Sequence, residues 1–469
     1  MRPDAAGDAG APFMDHAAVS RSMPLNLSRL WNPTVFLCLV GIVLPNALSL
    51  VALAFGIGSP PRTAAIMAYA TLALIARNVS APITVILYLV IVAYDAVATV
   101  ALLFNLAPSE IVLALHLTAN LHLFSSPLYI GIASGLALLL GVNIIMLTRK
   151  RELLRAGNPL VMVLLAIAFA AADFAVNTSA AYQFGTLASA GKPMESAADD
   201  SGFRKMALAG NHPRVVMIVV EALGRFANPA SEKILLSPFA DPELRKMYNV
   251  TSGESTYYGS TTAAEMRELC DTRKPYEDVL DGKPFVCLPR QMKERGYHTS
   301  AMHNFSGNFF ERMQWYPKLG FDDEFFFKDL APMMHRACGG PFRGPCDADV
   351  APVITQKLRE AKQPTFFYWM TLSTHVPIAP AEGTPRLGCE HGGGSIGNVE
   401  VCYMTELWMD LFQSVAQLAR DLPGTEIMLV GDHAPPLWSK AGRNLFTPGK
   451  VTWVRLTPKA DAQKVSQQQ

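Results

Sequence analysis

The hydropathy of the chain divides it into two parts, and this division restricts the possible folds more than any other feature. Residues 31–178 are almost continuously apolar, whereas most of the charge lies from residue 179 onward. The mean hydropathy of the 469 residues is +0.21. Because a helix of about 20 apolar residues crosses a hydrocarbon core ~30 Å thick, the first part is long enough for several crossings. We therefore expect a helical membrane domain followed by a soluble domain.

Five segments are predicted to cross the membrane: 34–57, 62–76, 81–106, 127–147 and 159–176. Residues 111–124 are also apolar, but they contain His116, Asn120 and His122, so we interpret them as an interfacial or re-entrant helix. Residues 1–30 are rich in Ala, Gly and Pro and are predicted to form a disordered cytoplasmic tail.

The basic residues beside these segments indicate their orientation. Arg21 and Arg29 precede the first segment, Arg77 follows the second, and Arg-Lys-Arg at 149–151 follows the fourth. Five crossings place all of them on one side, which the positive-inside rule assigns to the cytoplasm. The C-terminal part is then expected outside.

The cysteines support the same orientation. Six of the seven lie after residue 265, and an even number in the soluble part suits disulfides in an oxidising compartment. Six cysteines allow fifteen connectivities. We expect neighbours to pair: Cys270 with Cys287, Cys338 with Cys346, and Cys389 with Cys402. Free buried thiols are the alternative, since spacing alone does not establish a disulfide.

The soluble part has the pattern of a parallel sheet. A polar linker is predicted at 179–213 and a catalytic domain at 214–460. Residues 214–220, RVVMIVV, are too short and too apolar for a surface helix and predict a strand buried on both faces. Helical periodicity at 286–295, 349–361 and 399–422 separates further apolar strands. This alternation predicts an α/β sheet with helices on both faces.

Polar side chains follow four of the predicted strands. Glu221 ends the first, Asp432 and His433 end a strand that begins at Glu426, and the strands at 364–372 and 297–302 are followed by His375 and His303. In open α/β sheets the chemistry takes place at the carboxyl ends of the strands. These side chains are therefore expected at one edge.

Glu221, Asp432 and His433 offer two carboxylates and an imidazole to a metal ion. This set of oxygen and nitrogen ligands suits Mn²⁺ or Zn²⁺, and the absence of a thiolate argues against a structural zinc site. A salt bridge at Glu221 and a simple turn at Asp432 are the competing interpretations of each residue alone.

Thr261 is a candidate fourth ligand. It lies where a predicted helix begins, and a helix N-terminus favours anions. Its hydroxyl could cap the helix together with Glu265, or it could be a nucleophile if a metal lowers its pKa.

Several motifs along the chain resemble those of one known family. After Glu221 come GSTTAAEMREL, HNFSGNFFERMQWYPKLGFDDEFF, FFYWMTLSTHVPI and VGDH. In this order they resemble the lipoteichoic acid synthase type of membrane phosphotransferase and, more loosely, the bacterial phosphoethanolamine transferases. Both belong to the alkaline phosphatase and sulfatase superfamily. The resemblance covers residues 214–440, and the predicted membrane segments match the family's architecture.

The resemblance implies roles for individual residues. The catalytic metal would be held by Glu221, Thr261, Asp432 and His433. Thr261 would be the nucleophile in preference to Thr262, because it stands four residues before Glu265, as in the family's Thr-x-x-x-Glu pattern. The substrate head group and its phosphate would be bound by His303, Arg312 and His375. Phe310 stands where some relatives have Trp.

The implied activity is transfer of a phospholipid head group, phosphoglycerol first, through a phospho-threonine onto a cell-envelope glycan or lipid. The implied location is the bacterial inner membrane, with the sulfatase-like domain on the periplasmic side. The partners would be a phospholipid donor and a glycan or lipid acceptor. A net charge of +1 argues against a nucleic-acid partner.

Three alternatives differ in function. The first is transfer of phosphoethanolamine to lipid A or another envelope glycan. The second is a sulfatase-like hydrolase or phosphodiesterase; sulfatases carry a C/S-x-P-x-R signature, and in Cys287-Leu-Pro-Arg290 the Arg comes one residue early. The third is a sensor or transporter whose outer domain only binds a ligand, for which Asp95, Asp173 and His116 within the apolar part are the supporting features.

Overall fold

A computed structural model describes residues 32–104, 111, 127–183, 194–257, 259–333, 336–380 and 382–460. The membrane part consists of apolar helices. Their bounds are Pro33–Cys38, Leu39–Val43 (a π-helix), Ala47–Ala54, Thr63–Ile75, Ala81–Phe104, Pro127–Arg149, Arg151–Ala156 and Pro159–Gln183. The predicted tail at 1–30 and all of the predicted helix at 111–124 except Ile111 lie outside the described residues.

The helices that are long enough to cross a membrane number fewer than the predicted five. Among the described residues three qualify, and a fourth is obtained if Pro33–Val43 and Ala47–Ala54, which are bent by 72°, form one span. The predicted crossing at 62–76 is the helix Thr63–Ile75, whose 13 residues are fewer than the ~20 that span a bilayer. The prediction of a membrane domain is confirmed, and the number of described helices long enough to cross a membrane is close to the predicted five but below it.

The soluble part has ten strands. They are β1 Arg214–Val220, β2 Gly224–Phe226, β3 Tyr248–Thr256, β4 His298–His303, β5 Asp323–Phe325, β6 Ala337–Cys338, β7 Gly344–Pro345, β8 Thr365–Met370, β9 Glu426–Gly431 and β10 Phe446–Pro458. The α-helices of this part are Ala197–Asp200, Phe203–Leu208, Pro229–Leu235, Pro242–Met247, Thr261–Cys270, Glu277–Leu280, Leu288–Glu294, Arg312–Leu319, Phe327–Leu330, Asp347–Glu360, Val399–Asp421 and Lys440–Arg443. Short 3₁₀ helices occur at Ser237–Ala240, Phe309–Glu311, Ala331–Met333 and Gly394–Ile396.

Eight strands form one sheet, in the order β2-β10-β9-β1-β8-β4-β5, with β3 paired to β10. Strand β1 is parallel to β8 and β9, and β8 is parallel to β4. Strand β10 runs antiparallel to β9 and closes that side of the sheet. Because β1, β4, β8 and β9 are parallel, their carboxyl ends meet at one edge.

Strand β1 is buried on both faces, as its apolar run predicts. Val216, Ile218 and Val220 pack in the core beneath the helices Val399–Asp421 and Asp347–Glu360. The alternate residues of β1 pack in a second core on the other face, which includes side chains of the helix Thr261–Cys270. The α/β fold with helices on both faces is confirmed.

Residues 194–213 of the predicted 179–213 linker pack against the soluble domain, and residues 179–183 continue the helix Pro159–Gln183. Phe203 is fully buried in the second core. The backbone N–H groups of Ala197 and Ala198 donate to the carboxylate of Glu268, at 3.3 and 2.9 Å. This segment has the polar composition of a linker, but its few apolar residues and its helix N-terminus find partners in the domain.

All six cysteines of the soluble domain form disulfides in the predicted pairing: Cys270–Cys287, Cys338–Cys346 and Cys389–Cys402. Cys38 in the membrane part is a free thiol. The Cys270–Cys287 disulfide joins the end of the helix Thr261–Cys270 to the residue before the helix Leu288–Glu294.

Replacing Cys270 and Cys287 together by Ala should lower the free energy of unfolding of the soluble domain by about 2–4 kcal/mol, because a crosslink restricts the unfolded chain. Urea titration followed by tryptophan fluorescence measures this change. Cys38→Ala is the matched control and should leave the urea midpoint unchanged. Equal midpoints for the double variant and the control would contradict the disulfide.

Candidate active site

The site lies at the carboxyl edge of the parallel strands. Glu221 directly follows β1, and Asp432 and His433 directly follow β9, which pairs with β1. One ligand atom of each residue lies within 4.8 Å of the others. The register of two neighbouring parallel strands therefore joins residues that are far apart in the sequence.

Glu221 is held by hydrogen bonds to its backbone. Its N–H donates to Thr371 Oγ1 at 3.0 Å, and its carbonyl accepts from Thr374 Oγ1 at 2.6 Å and from Trp408 Nε1 at 3.2 Å. These contacts involve only the backbone of Glu221, and its carboxylate faces Asp432. Burial, and after it the charge of Asp432, raise the pKa of Glu221 well above its ordinary value.

The two oxygens of Asp432 have different partners. Oδ1 accepts from the backbone N–H groups of Ala222 and His433, at 2.7 and 2.6 Å. Oδ2 accepts from Thr261 Oγ1 at 2.9 Å. Ala222 has a positive φ of 56°, a left-handed conformation that aims its N–H at Asp432. The Asp432 side chain is fully buried.

Thr261 is the first residue of the helix Thr261–Cys270, and Ser260 is the N-cap. The N-cap makes no side-chain hydrogen bond, and the Thr261 hydroxyl faces Asp432 and lies 3.5 Å from His433 Nε2. Glu265 does not support a capping role either, because its carboxylate pairs with Arg312. The structure thus brings Thr261 into the group formed by Glu221, Asp432 and His433.

The arrangement fits a divalent cation. His433 Nδ1 lies 3.0 Å from the carbonyl of Ala434; if Nδ1 carries the proton, Nε2 is left with a lone pair. The Nε2 atom lies 3.3 Å from Asp432 Oδ2 and 3.9 Å from Glu221 Oε1. Three acceptors that face one another in a buried site repel each other unless a cation lies among them. Their oxygen and nitrogen atoms suit Mn²⁺ and Zn²⁺ alike.

His303 is the last residue of β4, at the same edge. Its Nδ1 lies 3.1 Å from the carbonyl of Met370, and its Nε2 is buried with no hydrogen-bond partner among the described residues. Burial lowers the pKa of His303 well below its ordinary value, and the charge of Arg312 lowers it further. A neutral ring with an unpaired Nε2 can accept a hydrogen bond from a ligand.

Arg312 is buried in an ion pair. Its Nη2 lies 2.8 Å from Glu265 Oε2, and its Nη1 donates to the carbonyl of Phe309 at 3.1 Å. Tyr316 and Tyr368 also donate to Glu265. Burial opposes the charge of Arg312, but Glu265 more than compensates and raises the pKa of the guanidinium. Arg312, the predicted phosphate-binding residue, is thus anchored by a carboxylate of the helix Thr261–Cys270.

His375 lies in the loop after β8, beneath the ring of Phe342, with ring centroids 3.6 Å apart. Burial lowers the pKa of His375 to about 3, and the nearby imidazole of His433 lowers it as well. We refer to Glu221, Thr261, Asp432 and His433 as the metal group. His303 ends β4 at the same edge of the sheet, the charge of Arg312 acts on Glu221, and His433 acts on His375. Phe310, which stands where some relatives have Trp, lies 5.5 Å from the Arg312 guanidinium.

The comparison with protein-family models gives one match. The model described as Sulfatase matches residues 213–453, slightly more than half of the chain. The chain belongs to the sulfatase family. This membership agrees with the predicted fold and with the resemblance to the alkaline phosphatase and sulfatase superfamily. A search of curated proteins finds no match.

Solved structures similar to this sulfatase-family chain include the following three. The lipoteichoic acid synthase LtaP of Listeria monocytogenes has 13% identity over 55% of this chain and 71% of its own, with a TM-score of 0.40. The zinc complex of the C-terminal periplasmic domain of EcEptC from Escherichia coli has 15% identity over 55% of this chain and 76% of its own, with a TM-score of 0.37. The Streptococcus pyogenes phosphoglycerol transferase GacH, in complex with sn-glycerol-1-phosphate, has 18% identity over 56% of this chain and 78% of its own, with a TM-score of 0.36.

The sequence did not predict the role of Arg267, which connects the helix Thr261–Cys270 to β9. Arg267 is buried, and its guanidinium donates to the carbonyls of Gly431 and Asp432, at 2.8 and 3.3 Å. Its Nε donates to Glu268 at 2.6 Å. The sequence around Arg267 shows a run of charged residues within a helix, and such a run is equally typical of an exposed helix face.

The variant Asp432→Asn should bind less metal than the unchanged protein, because it removes one charged ligand. Metal per chain, measured by inductively coupled plasma mass spectrometry after gel filtration, should fall from about one ion to well below one. Removing the metal with a chelator should lower the melting temperature of the unchanged protein and have little effect on the variant.

The control for this variant is Glu294→Gln, which changes an exposed carboxylate at the end of the helix Leu288–Glu294. It should keep the metal content and the response to chelator of the unchanged protein. A full complement of metal in Asp432→Asn would show that the ion binds elsewhere.

Proposed function

We propose that this sulfatase-family protein is a membrane phosphotransferase that moves a phospholipid head group onto a cell-envelope glycan or lipid. The observation that carries the proposal is the hydrogen bond from Thr261 Oγ1 to Asp432 Oδ2, within the group formed by Glu221, Asp432 and His433. A hydroxyl at that position is a potential nucleophile, and the same helix N-terminus can bind a phosphoryl oxygen.

In the first step, Thr261 Oγ1 attacks the phosphorus of the donor phosphodiester. The bond from phosphorus to the diacylglycerol oxygen breaks, and that oxygen takes up the proton that Thr261 gives up. The hydroxyl proton of Thr261 leaves by way of Asp432 Oδ2, to which it is hydrogen-bonded. A divalent cation held by Glu221, Thr261, Asp432 and His433 would lower the pKa of the hydroxyl and stabilise charge on the phosphoryl group.

In the second step, a hydroxyl of the acceptor attacks the phospho-threonine. The bond between phosphorus and Thr261 breaks, the acceptor takes the phosphate together with its head group, and the proton of the acceptor hydroxyl returns to Thr261 Oγ1. His303 Nε2, which has no protein partner among the described residues, accepts a hydrogen bond from the head group. The charge of Arg312, fixed by Glu265, stabilises the anionic phosphoryl group from the side.

Phosphoglycerol is the first choice of head group, because the motifs of this chain resemble the lipoteichoic acid synthase type most. Phosphoethanolamine is the second candidate. His303 Nε2 can accept a hydrogen bond from a glycerol hydroxyl or from an ammonium, so this contact suits both head groups.

A sulfatase that uses a converted cysteine is disfavoured by the structure. Cys287, in the sequence nearest to the sulfatase signature, forms a disulfide with Cys270. A sulfur in a disulfide is not available for oxidation to formylglycine. The hydroxyl of Thr261 occupies the nucleophile's place beside the metal group instead.

The catalytic domain is placed on the outer side of a bacterial inner membrane in this proposal. Three disulfides in the soluble domain suit an oxidising compartment. At one end of the membrane helices Arg77 and Arg155 are joined by hydrogen bonds, close to the basic residues 149–151. At the other end Gly58 N–H donates to the carbonyl of Trp438 in the soluble domain, at 3.2 Å. The positive-inside rule assigns the first end to the cytoplasm.

Replacing Thr261 by Ala should reduce transfer by more than ~10³-fold, because no other hydroxyl takes its place beside Asp432 in the described structure. The matched control Thr262→Ala changes the next residue, whose side chain is not part of the metal group, and should keep most of the activity. Mass spectrometry of the unchanged protein incubated with defined phospholipids should detect the head group on Thr261. An active Thr261→Ala, or an adduct on another residue, would refute the proposal.

A further inference from the structure

A cavity of about 100 Å³ lies inside the membrane part. A single water needs only about 10–15 Å³ on this measure, so the cavity can hold a larger group. Its polar lining consists of Asn46, Ser49, Ser59, Arg62, Asp173 and Asn177, and Leu50, Leu53 and Phe169 are among its apolar neighbours. We refer to it as the Arg62 cavity.

The wall of the Arg62 cavity includes the break in the first helix. Asn46 lies at the 72° bend between Pro33–Val43 and Ala47–Ala54, and it is 1% exposed. Its Nδ2 donates to the carbonyl of Ile42 at 2.7 Å. Its Oδ1 has no hydrogen-bond partner in the part of the chain that the structure describes. A buried acceptor without a partner is costly in an apolar surrounding, so Asn46 indicates a ligand that donates hydrogen bonds.

The charges in the Arg62 cavity favour the same kind of ligand. The Arg62 guanidinium is paired with Asp95, where its Nε lies 2.9 Å from Oδ1, and it also donates to Ser49. Among the described residues Asp173 accepts from the backbone N–H of Arg62 at 2.7 Å and from the amide of Asn177 at 2.9 Å. Two carboxylates, Asp95 and Asp173, thus share the positive charge of Arg62. Such a cavity suits a hydroxyl or an ammonium and not a free phosphate.

The position of the Arg62 cavity connects it with the catalytic domain. Asp95 and Asp173 each lie about four turns, or ~20 Å, beyond the starts of their helices at Ala81 and Pro159, away from the basic end of the membrane part. Ile57, which lines the cavity, forms a β-bridge with Ser439 of the soluble domain. That loop follows the candidate ligand His433 by only a few residues.

We propose that the Arg62 cavity binds the polar head of a membrane lipid that offers hydrogen-bond donors. The head group would donate to Asn46 Oδ1 and Asp173, and the acyl chains would lie along exposed apolar side chains of the helix Ala47–Ala54 such as Val51 and Leu53. The site would hold a lipid near the catalytic domain, a link to transfer that rests on the proposed function. Glycerol hydroxyls, an ethanolamine ammonium and the free hydroxyl of diacylglycerol share this chemistry.

The test measures lipid binding to the full-length Thr261→Ala variant, in which the proposed transfer does not occur. Native mass spectrometry in detergent should show that phosphatidylglycerol, phosphatidylethanolamine or diacylglycerol binds at least about tenfold more tightly than phosphatidylcholine, whose head group has no donor. The lipid that binds most tightly identifies which of the three head groups the Arg62 cavity takes. Equal binding of phosphatidylcholine overturns the proposal, and this comparison needs no change in the cavity.

A second comparison uses variants of the cavity. Adding Asn46→Leu and Asp173→Asn to Thr261→Ala should remove the preference for donor head groups. The matched control adds Asn143→Leu instead, because Asn143 is equally buried in the membrane part and its Oδ1 likewise has no partner among the described residues, but it lies outside the cavity, where its Nδ2 donates to Tyr88. It should keep the preference. An unchanged preference in the cavity variant overturns this inference and leaves the role of Thr261 unaffected.

Discussion

Repulsion among buried acceptors is the constraint on which the site depends. Glu221, Asp432 and the Nε2 lone pair of His433 converge where little water reaches them. Two carboxylates about 4 Å apart repel by about 4 kcal/mol at an effective dielectric constant of ~20. Burial, and after it the charge of Asp432, raise the pKa of Glu221. A divalent cation among these groups would remove the repulsion, and in the proposed mechanism it would activate the Thr261 hydroxyl as a nucleophile.

The fold maintains this arrangement through contacts that do not touch the cation. Parallel pairing of β1 with β9 fixes the spacing of Glu221 and Asp432. Arg267 binds the carbonyls at the end of β9 from the helix that begins at Thr261, so one guanidinium positions both Thr261 and its neighbour Asp432. The disulfide at Cys270 fixes the other end of that helix. A buried network that is fully hydrogen-bonded in this way keeps repelling groups close together.

The sequence predicts the strand ends well because each depends on a local pattern. An apolar run that stops at Glu221 or Asp432 determines where the side chain lies once the strands are parallel. Pairs between distant segments cannot be predicted in this way. The ion pair between Glu265 and Arg312 requires two helices to pack, and nothing in the neighbourhood of either residue indicates it. Fewer than five of the described helices reach the length of a membrane span, because hydropathy alone does not indicate the bend at Asn46 or the shortness of Thr63–Ile75.

Anomalous diffraction from crystals of the full-length protein grown with Mn²⁺ tests the central claim most directly. The account predicts one strong anomalous peak at the carboxyl edge of β1 and β9, about 2.0–2.3 Å from atoms of Glu221, Thr261, Asp432 and His433. A peak at another place, or a well-ordered edge with no peak at a saturating concentration of Mn²⁺ and of Zn²⁺ in parallel crystals, would contradict it.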